Sequence, residues 1–501
     1  MELLLSLFVA LCALELSLWL PFLWPIRKVF SAVLIILNCL LMIALLITDL
    51  RLWIVILAIL SMYRAINLLR IYKGRTRPEY LYNSSRRSVF WLISLQGLNM
   101  GVALLGSYYH LTLLPFFYIV AVVQAVAAVI LLSSTQRHLR TTTAPKITSK
   151  YADKDLPSLT VAIPARNETE DLEACLQSLI ASKYPKLEIL VLDDCSQNKR
   201  TPEIIRGFAH DGVRFIAGKE PPTKWLAKNY GYHQLAEAAS GELLLFCGVD
   251  IRFTPDSLNI LVETLLQKQK SMISLIPSNS VPKQLNVAHL LTQPNRYTWE
   301  LALPRRLFKR PPVLSSCWLI AARSLEAAGG FAAITRQPVP ESYFAHQTAS
   351  HNDGYSFLQS SAAMAISSHK QPADQQATAI RTRYPQLHRR PELIVLLSLA
   401  EFVIFVWPIF ILISALLTQV WGLAAIVGFA LTLQSVAYSK IVKLTFRQPL
   451  YRAEGLVWVA ALYDIWLLNY SMWQYEFSEV IWKGRNVCIP IMRVLPSLPK
   501  A

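Results

Sequence analysis

Acidic and polar side chains follow three short apolar stretches in the middle of this chain. The three junctions are LTVAI (159–163) followed by Pro164, Arg166, Asn167 and Glu168, LEILVL (187–192) followed by Asp193 and Asp194, and GELLLFCGV (241–249) followed by Asp250. Parallel strands of an open α/β sheet hold ligands at their carboxyl ends, so we expect these groups to converge on one crevice. Carboxylates there can accept hydrogen bonds from a ligand or hold a metal ion. Any one junction could equally cap a helix or shape a turn.

The segments that must position these groups alternate between strand and helix patterns. Strands are predicted at 159–163, 187–192 and 213–216, with a fourth in the stretch that ends at Asp250. Apolar residues at helical spacing predict helices between them, for example over 226–239. This alternation predicts an α/β domain with a mainly parallel sheet and helices on both faces. The chain has no glycine-rich phosphate loop of the dinucleotide-binding or Walker type, which disfavours nicotinamide cofactors and P-loop ATPases.

The two ends of the chain are strongly apolar. Of the 501 residues, 54% are hydrophobic, and the formal net charge is +17. Runs close to the ~20 residues that cross a bilayer core occupy 3–24, 29–48, 52–69, 89–109, 111–132, 393–417, 420–438 and 456–473. Arg64 interrupts the third run and would have to snorkel or pair. Since Lys and Arg cluster beside these runs, the charge indicates a membrane protein, and we expect no nucleic acid partner.

The position of the basic loops predicts the arrangement of the chain. We expect a transmembrane region of about five helices over 1–133, a polar linker over 134–158, a cytoplasmic α/β domain over 159–390, and a second transmembrane region of two or three helices with a basic tail over 391–501. The expected location is the plasma membrane. Seven scattered cysteines without a CxxC pair argue against a zinc site and a disulfide framework, and they suit a reducing compartment.

Several segments carry a resemblance to a known family. The stretch LTVAIPARNETEDLEACLQSLIASKYPKLEILVLDDCS resembles the opening of glycosyltransferase family 2, whose members have a GT-A nucleotide-sugar-binding fold. SGELLLFCGVDIRFTPDSL resembles its metal-binding segment, and SLEAAGGF (324–331) resembles the segment before its catalytic acid. The resemblance covers about half the chain. Members that glycosylate lipids or extrude polysaccharide place this domain between hydrophobic ends, and the tail WKGR (482–485) resembles the ends of lipid- and carotenoid-type members.

The resemblance implies an inverting membrane glycosyltransferase that uses a nucleotide-sugar, with a preference for UDP, and a membrane lipid or lipid-linked acceptor. It also implies roles for matching residues. Nucleotide contacts fall to Pro164, Arg166, Glu168, Asp193 and Asp194, where Asp194 accepts a hydrogen bond from the base, and Lys228 lies near the diphosphate. A carboxylate is a strong acceptor for a ring N–H, and a positive charge offsets charge on the leaving group.

Three positions depart from the family pattern. Asp250 matches the second acid of an Asp-x-Asp motif, but Gly248 replaces the first, so we expect a weakened site for Mg²⁺ or Mn²⁺. One carboxylate can suffice when substrate phosphates and water complete the shell. Glu341 stands where the family has its catalytic acid and is the expected general base. In IRTRY (380–384), Arg383 is expected to contact the diphosphate, while Ile380 replaces a glutamine of the processive members.

Alternatives remain at this stage. His346, His351 and Asp353 are rival bases, and a processive polysaccharide synthase is a disfavoured alternative. The departures also permit a non-catalytic membrane protein that retains a degenerate transferase domain. A transporter would need charged pathways in the membrane, and apart from Arg64 and Asp464 few charges stand within the apolar runs. Arg305, Arg306, Lys309 and Arg310 are expected at anionic headgroups or in a solvated loop.

Overall fold

The computed structural model describes residues 2–17, 26–48, 52–72, 94–103, 105, 113–144, 151–279, 287–302, 311–350, 354–447 and 454–487. The chain divides into two compact units. One consists of residues 1–122, 390–399 and 472–478, and the other of residues 123–389, 400–471 and 479–501. Residues 303–310, which contain the basic residues expected at anionic headgroups, lie outside the described residues. Two rival bases, His351 and Asp353, lie outside them as well.

A seven-stranded sheet forms the centre of the second unit. The strands of this sheet and the five shorter strands outside it are, in chain order, β1 (Leu159–Ala165), β2 (Leu187–Asp193), β3 (Val213–Ala217), β4 (Leu243–Cys247), β5 (Ile251–Arg252), β6 (Met272–Ile276), β7 (Ser278–Asn279), β8 (Cys317–Ala321), β9 (Tyr355–Gln359), β10 (Ser367–Ser368), β11 (Ile481–Trp482) and β12 (Arg485–Asn486). The order in the large sheet is β3-β2-β1-β4-β8-β6-β9. All its neighbours are parallel except that β8 runs antiparallel to β4 and β6.

The helices are listed here in chain order, and residues 94–103 are helical as well. They are α1 (Glu2–Ser17), α2 (Arg27–Thr48), α3 (Leu52–Tyr72), α4 (Leu113–Thr141), α5 (Glu170–Ile180), α6 (Arg200–Gly207), α7 (Ala227–Ala238), α8 (Ser257–Gln267), α9 (Val287–Leu301), α10 (Ala322–Ala327), α11 (Pro340–Ser350), α12 (Pro372–Gln386), α13 (Pro391–Glu401), α14 (Trp407–Leu417), α15 (Trp421–Phe446) and α16 (Val457–Phe477).

Helices cover both faces of the sheet, which confirms the predicted mainly parallel α/β fold class. On one face, α5 and α8 pack Leu176 and Leu261 against Val161 of β1 in a fully apolar core. On the other face, α7 and α11 pack Tyr232 and Phe344 against the other side of the strands. Every residue of β4 is buried, as expected for a strand that is enclosed on both faces.

Strand β1 is longer than the sequence predicted. The prediction ended it at Ile163, but the strand continues through Pro164 to Ala165, where it pairs with Asp193 of β2. Proline lacks an N–H and normally ends or avoids a central strand. Here the pairing of β1 with β4 stops at Ala162, so Pro164 has only β2 as a strand neighbour. The strand therefore reaches the ligand edge without losing hydrogen bonds on the β4 side.

Four of the described helices are long and apolar enough to cross a membrane. They cover Lys28–Ile47, Phe117–Thr141, Pro391–Leu417 and Trp421–Phe446. These lie at both ends of the chain, as predicted. The apolar stretch in α3 is shorter, at Trp53–Ile66. The number of crossings, the domain boundaries and the side of the membrane stay predictions.

Arg64, which interrupts the apolar pattern of α3, is paired rather than snorkelled. Its Nε donates to Oε2 of Glu15 in α1 at 2.7 Å, and Gln96 Nε2 donates to the same oxygen at 2.7 Å. Arg64 is 1% exposed and Glu15 is 2% exposed. A buried charge is tolerated when it is paired and hydrogen-bonded, so this cluster explains how an arginine is accommodated among apolar helices.

Candidate active site

The order of strands in the sheet defines where a ligand can bind. From β1 the chain proceeds to β2 and β3 on one side, and then β4 returns to pair with the opposite side of β1. The two crossovers therefore diverge at the carboxyl ends of β1 and β4 and leave a crevice between them. Each of the three sequence junctions ends at this edge of the sheet.

Arg166 and Asp194 connect the ends of β1 and β2. The Arg166 guanidinium donates from Nη1 to the carbonyl oxygens of Asp194 and Cys195, the latter at 2.7 Å. Arg166 thus holds the loop after β2 in place through these two hydrogen bonds. The Asp194 carboxylate accepts two hydrogen bonds from Nη1 of Arg485, at 2.9 and 2.8 Å. Burial raises the pKa of the Asp194 carboxyl, and the charges of Arg485 and Arg166 oppose that rise.

Asp193, Asn167 and Glu168 shape the same loops. The Oδ1 of Asp193 accepts a hydrogen bond from the Ser196 amide at 3.1 Å, and the Oδ1 of Asn167 accepts one from the Gln197 amide at 2.8 Å. Asp193 therefore serves as a turn residue, and its expected contact with the nucleotide stays a prediction. The Glu168 carboxylate forms an ion pair with Lys483. Burial raises the pKa of Glu168, Lys483 opposes this, and the negative charge of Asp250 adds to it.

Asp250 stands between the large sheet and a small one. It precedes β5, which pairs with β10, and β10 pairs with β7. Oδ2 of Asp250 accepts a hydrogen bond from Oγ of Ser368 at 2.6 Å, and its backbone oxygen accepts one from the His369 amide at 2.8 Å. A Cβ at Gly248 would lie 2.5 Å from Oδ1 of Asp250. The carboxylate of Asp250 thus occupies the space beside position 248 that a longer side chain would need.

This contact predicts the effect of a methyl group at position 248. In Gly248→Ala, the Asp250 carboxylate must move, but the contact is with the end of a side chain, so the fold should persist. A displacement of about 1 Å in an active site can cost about 10²-fold in rate. We expect a kcat about 10²-fold lower with an unchanged melting temperature. Gly207→Ala is the control, because a Cβ there meets nothing within 4 Å. Full activity in Gly248→Ala would contradict this placement of Asp250.

Lys228 and Glu341 meet across the crevice. Lys228 lies in α7, and its Nζ is 3.1 Å from Oε2 of Glu341 at the start of α11. Glu341 is 1% exposed, whereas the side chain of Lys228 is 28% exposed. Burial lowers the pKa of Lys228, and the Glu341 charge opposes that change. The rival base His346 lies in the same helix but is exposed. Of the described candidates for the general base, Glu341 is thus the enclosed one, and the Lys228 ammonium lies beside it.

Further basic residues, which the sequence did not single out, act electrostatically on the groups of this site. Burial lowers the pKa of Lys370 to about 8, Asp250 opposes this, and Arg296 and Arg381 lower it further. The charge of Arg381 also lowers the pKa of Lys228. Lys370 donates from Nζ to Oγ1 of Thr378 at 2.7 Å. Lys370 is thus a cation within electrostatic range of Asp250, with Arg296 and Arg381 close enough to act on it.

Arg383 does not belong to this group in the structure. Its Nη2 donates to Oδ1 of Asp464 at 2.9 Å, and its guanidinium lies 3.6 Å from the ring centre of Trp299. Residues two apart on a helix do not share a face, which separates Arg383 from Arg381. The expected diphosphate contact of Arg383 stays a prediction.

The residues present fit a metal ion that takes most of its ligands from the substrate. Among the described residues, no group of three or more His, Cys, Asp or Glu side chains is arranged to hold a metal. Asp250 offers one anchored carboxylate with Oδ1 directed over Gly248. Mg²⁺ usually keeps waters and binds through one or two carboxylates plus substrate phosphates. A single-carboxylate site agrees with that chemistry.

Comparison with known proteins assigns the domain. Residues 160–327 match the family model for glycosyl transferase family 2. The chain is similar to the glycosyltransferase AglE of Haloferax volcanii, with 36% identity over 99 residues, which is 19% of this chain and 31% of that protein. It is also similar to 4,4'-diaponeurosporenoate glycosyltransferase of Staphylococcus haemolyticus, with 29% identity over 128 residues, or 25% and 33% of the two chains. The chain thus spans about a third of the length of these curated relatives.

Among solved structures, the chain is similar to the mannosyltransferase PcManGT from Pyrobaculum calidifontis in complex with GDP-Man and Mn²⁺. It has 18% identity and a TM-score of 0.44, and the match covers 72% of this chain and 99% of that one. The family match begins at β1 and extends through β8 to α10. It therefore contains the crevice at the carboxyl ends of β1 and β4 and the acids that follow β1, β2 and β4. Residues 160–327 of this chain therefore form a glycosyltransferase family 2 domain.

Proposed function

We propose that this chain is a membrane glycosyltransferase that transfers a sugar, with inversion, from a nucleotide-sugar to a lipid or lipid-linked acceptor. The UDP-sugar is the expected donor. The observation that carries the proposal is the crevice of a family 2 domain, in which Asp194 follows β2 and Asp250 follows β4, the two strands on either side of β1, and a Lys228–Glu341 pair lies opposite. This set contains a hydrogen-bond acceptor for the nucleobase, cations for a diphosphate and an enclosed carboxylate that can act as a general base.

The donor is proposed to lie along the strand ends. Its base would approach Asp194, since each carboxylate oxygen that Arg485 contacts still has a further lone pair for a ring N–H. The diphosphate would lie towards Lys228, Lys370 and Arg381, whose positive charges oppose its negative charge. Loss of one such positioned charge typically costs about 10²–10³ in rate, so leaving-group stabilisation should be the larger contribution to catalysis.

Glu341 is proposed to act as the general base. Its carboxylate takes the proton of the acceptor hydroxyl, and the hydroxyl oxygen forms a bond to the anomeric carbon from the face opposite the diphosphate. The bond between that carbon and the phosphate oxygen breaks, and its electron pair stays on the departing diphosphate. Lys228 can then interact with the phosphate, which frees an oxygen of Glu341 for the incoming proton. Attack from the opposite face inverts the anomeric configuration.

A divalent metal fits this scheme at Asp250. When bound, Mg²⁺ or Mn²⁺ would supply positive charge that offsets the diphosphate. The chain's own contribution is to fix Asp250 through Ser368 and to keep Gly248 small enough for the carboxylate. Because only one carboxylate of the described residues is arranged for it, metal binding is proposed to depend on the donor phosphates.

A lipid acceptor is supported by the apolar helices that precede and follow the domain in the sequence. Four of them are long enough to span a membrane. One relative carries the name of a transferase for diaponeurosporenoate. We propose that this chain lies in the plasma membrane, with the family 2 domain on the cytoplasmic side, where nucleotide-sugars are available and basic loops are favoured.

Lys370 gives the proposed reaction a defined pH dependence. Its ammonium is charged below its pKa of about 8 and neutral above it. If it holds the diphosphate, kcat/KM for the donor should fall as pH rises through about 8, by up to about tenfold per pH unit. Lys370→Met should have a lower kcat/KM at pH 7 and should lack the fall near pH 8. Lys183→Met, at an exposed lysine, should behave as wild type. A fall near pH 8 that persists in Lys370→Met would contradict this role.

The experiment that tests the function is a product analysis. Membrane vesicles with the wild-type chain or with Asp250→Ala are supplied with a panel of nucleotide-sugars and with Mg²⁺ or Mn²⁺, and the lipids are analysed by mass spectrometry. We expect a sugar-bearing lipid with wild type only, and a product anomer opposite to that of the donor. A domain that has lost catalysis would give no product with any donor, and equal product from both proteins would refute the site assignment.

A further inference from the structure

The short C-terminal hairpin of β11 and β12 lies against the candidate donor site. Ile481 pairs with Asn486 and Trp482 with Arg485, so Lys483 and Gly484 form a two-residue turn. Both turn residues have positive φ, 47° and 76°, as a type I′ hairpin turn requires. Such a hairpin places Trp482 and Arg485 directly opposite each other and holds them in a fixed relation.

Each residue of the WKGR tail (482–485) has a contact that its type explains. The guanidinium of Arg381 lies 4.4 Å from the ring centre of Trp482, a cation–π distance. Lys483 forms an ion pair with Glu168. A Cβ at Gly484 would lie 2.5 Å from Oε1 of Gln197, and the positive φ would strain any other residue. Arg485 contacts both oxygens of Asp194.

The backbone of the hairpin is anchored as firmly as its side chains. The carbonyl oxygen of Lys483 accepts hydrogen bonds from Nε of Arg166 and from Nδ2 of Asn167, both at 3.0 Å. A non-glycine residue with positive φ is uncommon and persists where the surroundings hold it. The residues that hold Lys483 are those that follow β1. The hairpin is therefore a fixed part of this edge rather than a loosely attached tail.

The hairpin touches both ends of the proposed donor path. Arg485 contacts Asp194, where the base is proposed to bind, and Trp482 contacts Arg381, whose charge acts on Lys228 and Lys370 near the diphosphate. The geometry points to the WKGR hairpin as a wall of the nucleotide subsite, with Arg485 as a positioning residue that holds both oxygens of the Asp194 carboxylate in a fixed orientation for the nucleobase. This inference rests on the proposed function.

Arg485 has two partners of different character, and they provide a matched control. The pair with Asp194 is largely enclosed, with 13% and 10% of the two side chains exposed. The pair with Glu220, at 3.1 Å, has a carboxylate that is 72% exposed. Exposed ion pairs contribute little, whereas hydrogen bonds to an enclosed charged group contribute more. Only the Asp194 contact should affect nucleotide binding.

The test is UDP binding by the full chain in lipid nanodiscs, measured by calorimetry, with GDP as a second probe. Arg485→Ala should weaken UDP binding by about 10- to 100-fold, because Asp194 loses two charged hydrogen bonds. Arg485→Lys keeps the charge but loses the two-point contact, so it should have an intermediate affinity and provides a readout if Arg485→Ala misfolds. Glu220→Gln should stay within about twofold of wild type.

Steady-state kinetics separate positioning from a general structural role. For Arg485→Ala and Arg485→Lys, the donor KM should rise while kcat and the melting temperature change little. Unchanged or tighter UDP binding in Arg485→Ala would overturn the inference. Tighter binding would mean that the hairpin blocks the nucleotide site and that loss of the Arg485–Asp194 contact opens it. If the wild-type chain bound neither UDP nor GDP and transferred no sugar, the proposed function itself would fail, whatever the Arg485 variants do.

Discussion

Glu341→Gln is expected to lower kcat for sugar transfer by about 10²- to 10⁴-fold, because a positioned general base contributes that much to a rate. Glutamine keeps the shape of the side chain but cannot take the proton of the acceptor hydroxyl. Glu341 is 1% exposed and lies 3.1 Å from Nζ of Lys228, so no bulk water replaces it readily. The affinity for UDP should change much less than kcat, since the base acts on the acceptor.

Two variants make that result specific. Glu237→Gln replaces an exposed glutamate of α7 and should have wild-type activity. His346→Ala removes the exposed rival base of α11 and should also retain transfer. The measurement is the initial rate of glycolipid formation, together with UDP affinity for each protein. A Glu341→Gln enzyme with wild-type kcat, or a His346→Ala enzyme without activity, would move the base away from Glu341.

Asp250→Asn should lower kcat by about 10²- to 10³-fold, the typical cost of losing one positioned charge that acts on a leaving group. Asparagine can still accept the hydrogen bond from Oγ of Ser368, so the local structure should persist. The positive charges of Lys228, Lys370 and Arg381 remain, and they should preserve part of the donor affinity. Transfer rates at a range of Mg²⁺ and Mn²⁺ concentrations measure the effect.

The metal series adds a second criterion for Asp250. If this carboxylate is the protein ligand, the metal concentration for half-maximal rate should rise in Asp250→Asn. Asp256→Asn is the matched control, because Asp256 is exposed and only pairs with exposed Lys183 at the surface. Equal rates and equal metal dependence in wild type and Asp250→Asn would show that Asp250 has no part in donor activation.

Much of the fold is local and therefore predictable from the sequence. The apolar runs that became β1, β2, β3 and β4 alternate with helical patterns, and this is sufficient to predict a mainly parallel sheet. The ligand edge follows from the order of these elements, because acids directly after strands must lie at the carboxyl ends. The exact end of β1 was not predicted, since the tolerance of Pro164 depends on where the β4 pairing stops.

The composition of the site was only partly predictable, because its remaining groups come from distant segments. Lys370 belongs to no recognised motif, and Arg381 is not one of the motif positions in IRTRY (380–384), so their place in the site depends on how β10 and α12 pack. The motif predicts a diphosphate contact for Arg383, and its contact with Asp464 depends on packing that the motif does not describe. The WKGR tail was the one available signal for the hairpin, and its contact with Glu168 and Asp194 joins residues about 300 positions apart in sequence.

The membrane regions show the same division between local and distant information. Hydropathy predicts apolar helices at both ends, and four described helices satisfy the length and composition for crossing. Arg64 could be recognised as a charge that needs a partner, but its partner Glu15 lies 49 residues away and was not identified. A charge pair of this kind depends on the packing of α1 against α3, which a single sequence does not specify.

The most direct test of the central claim is an experimental structure of the full chain in a lipid nanodisc with a bound UDP-sugar and Mn²⁺. Our account predicts that one donor molecule spans the edge of the sheet, with its base at Asp194 and its diphosphate between Asp250 and Lys228. A donor that binds elsewhere, or density that places Asp194 and Asp250 in separate cavities, would contradict the account.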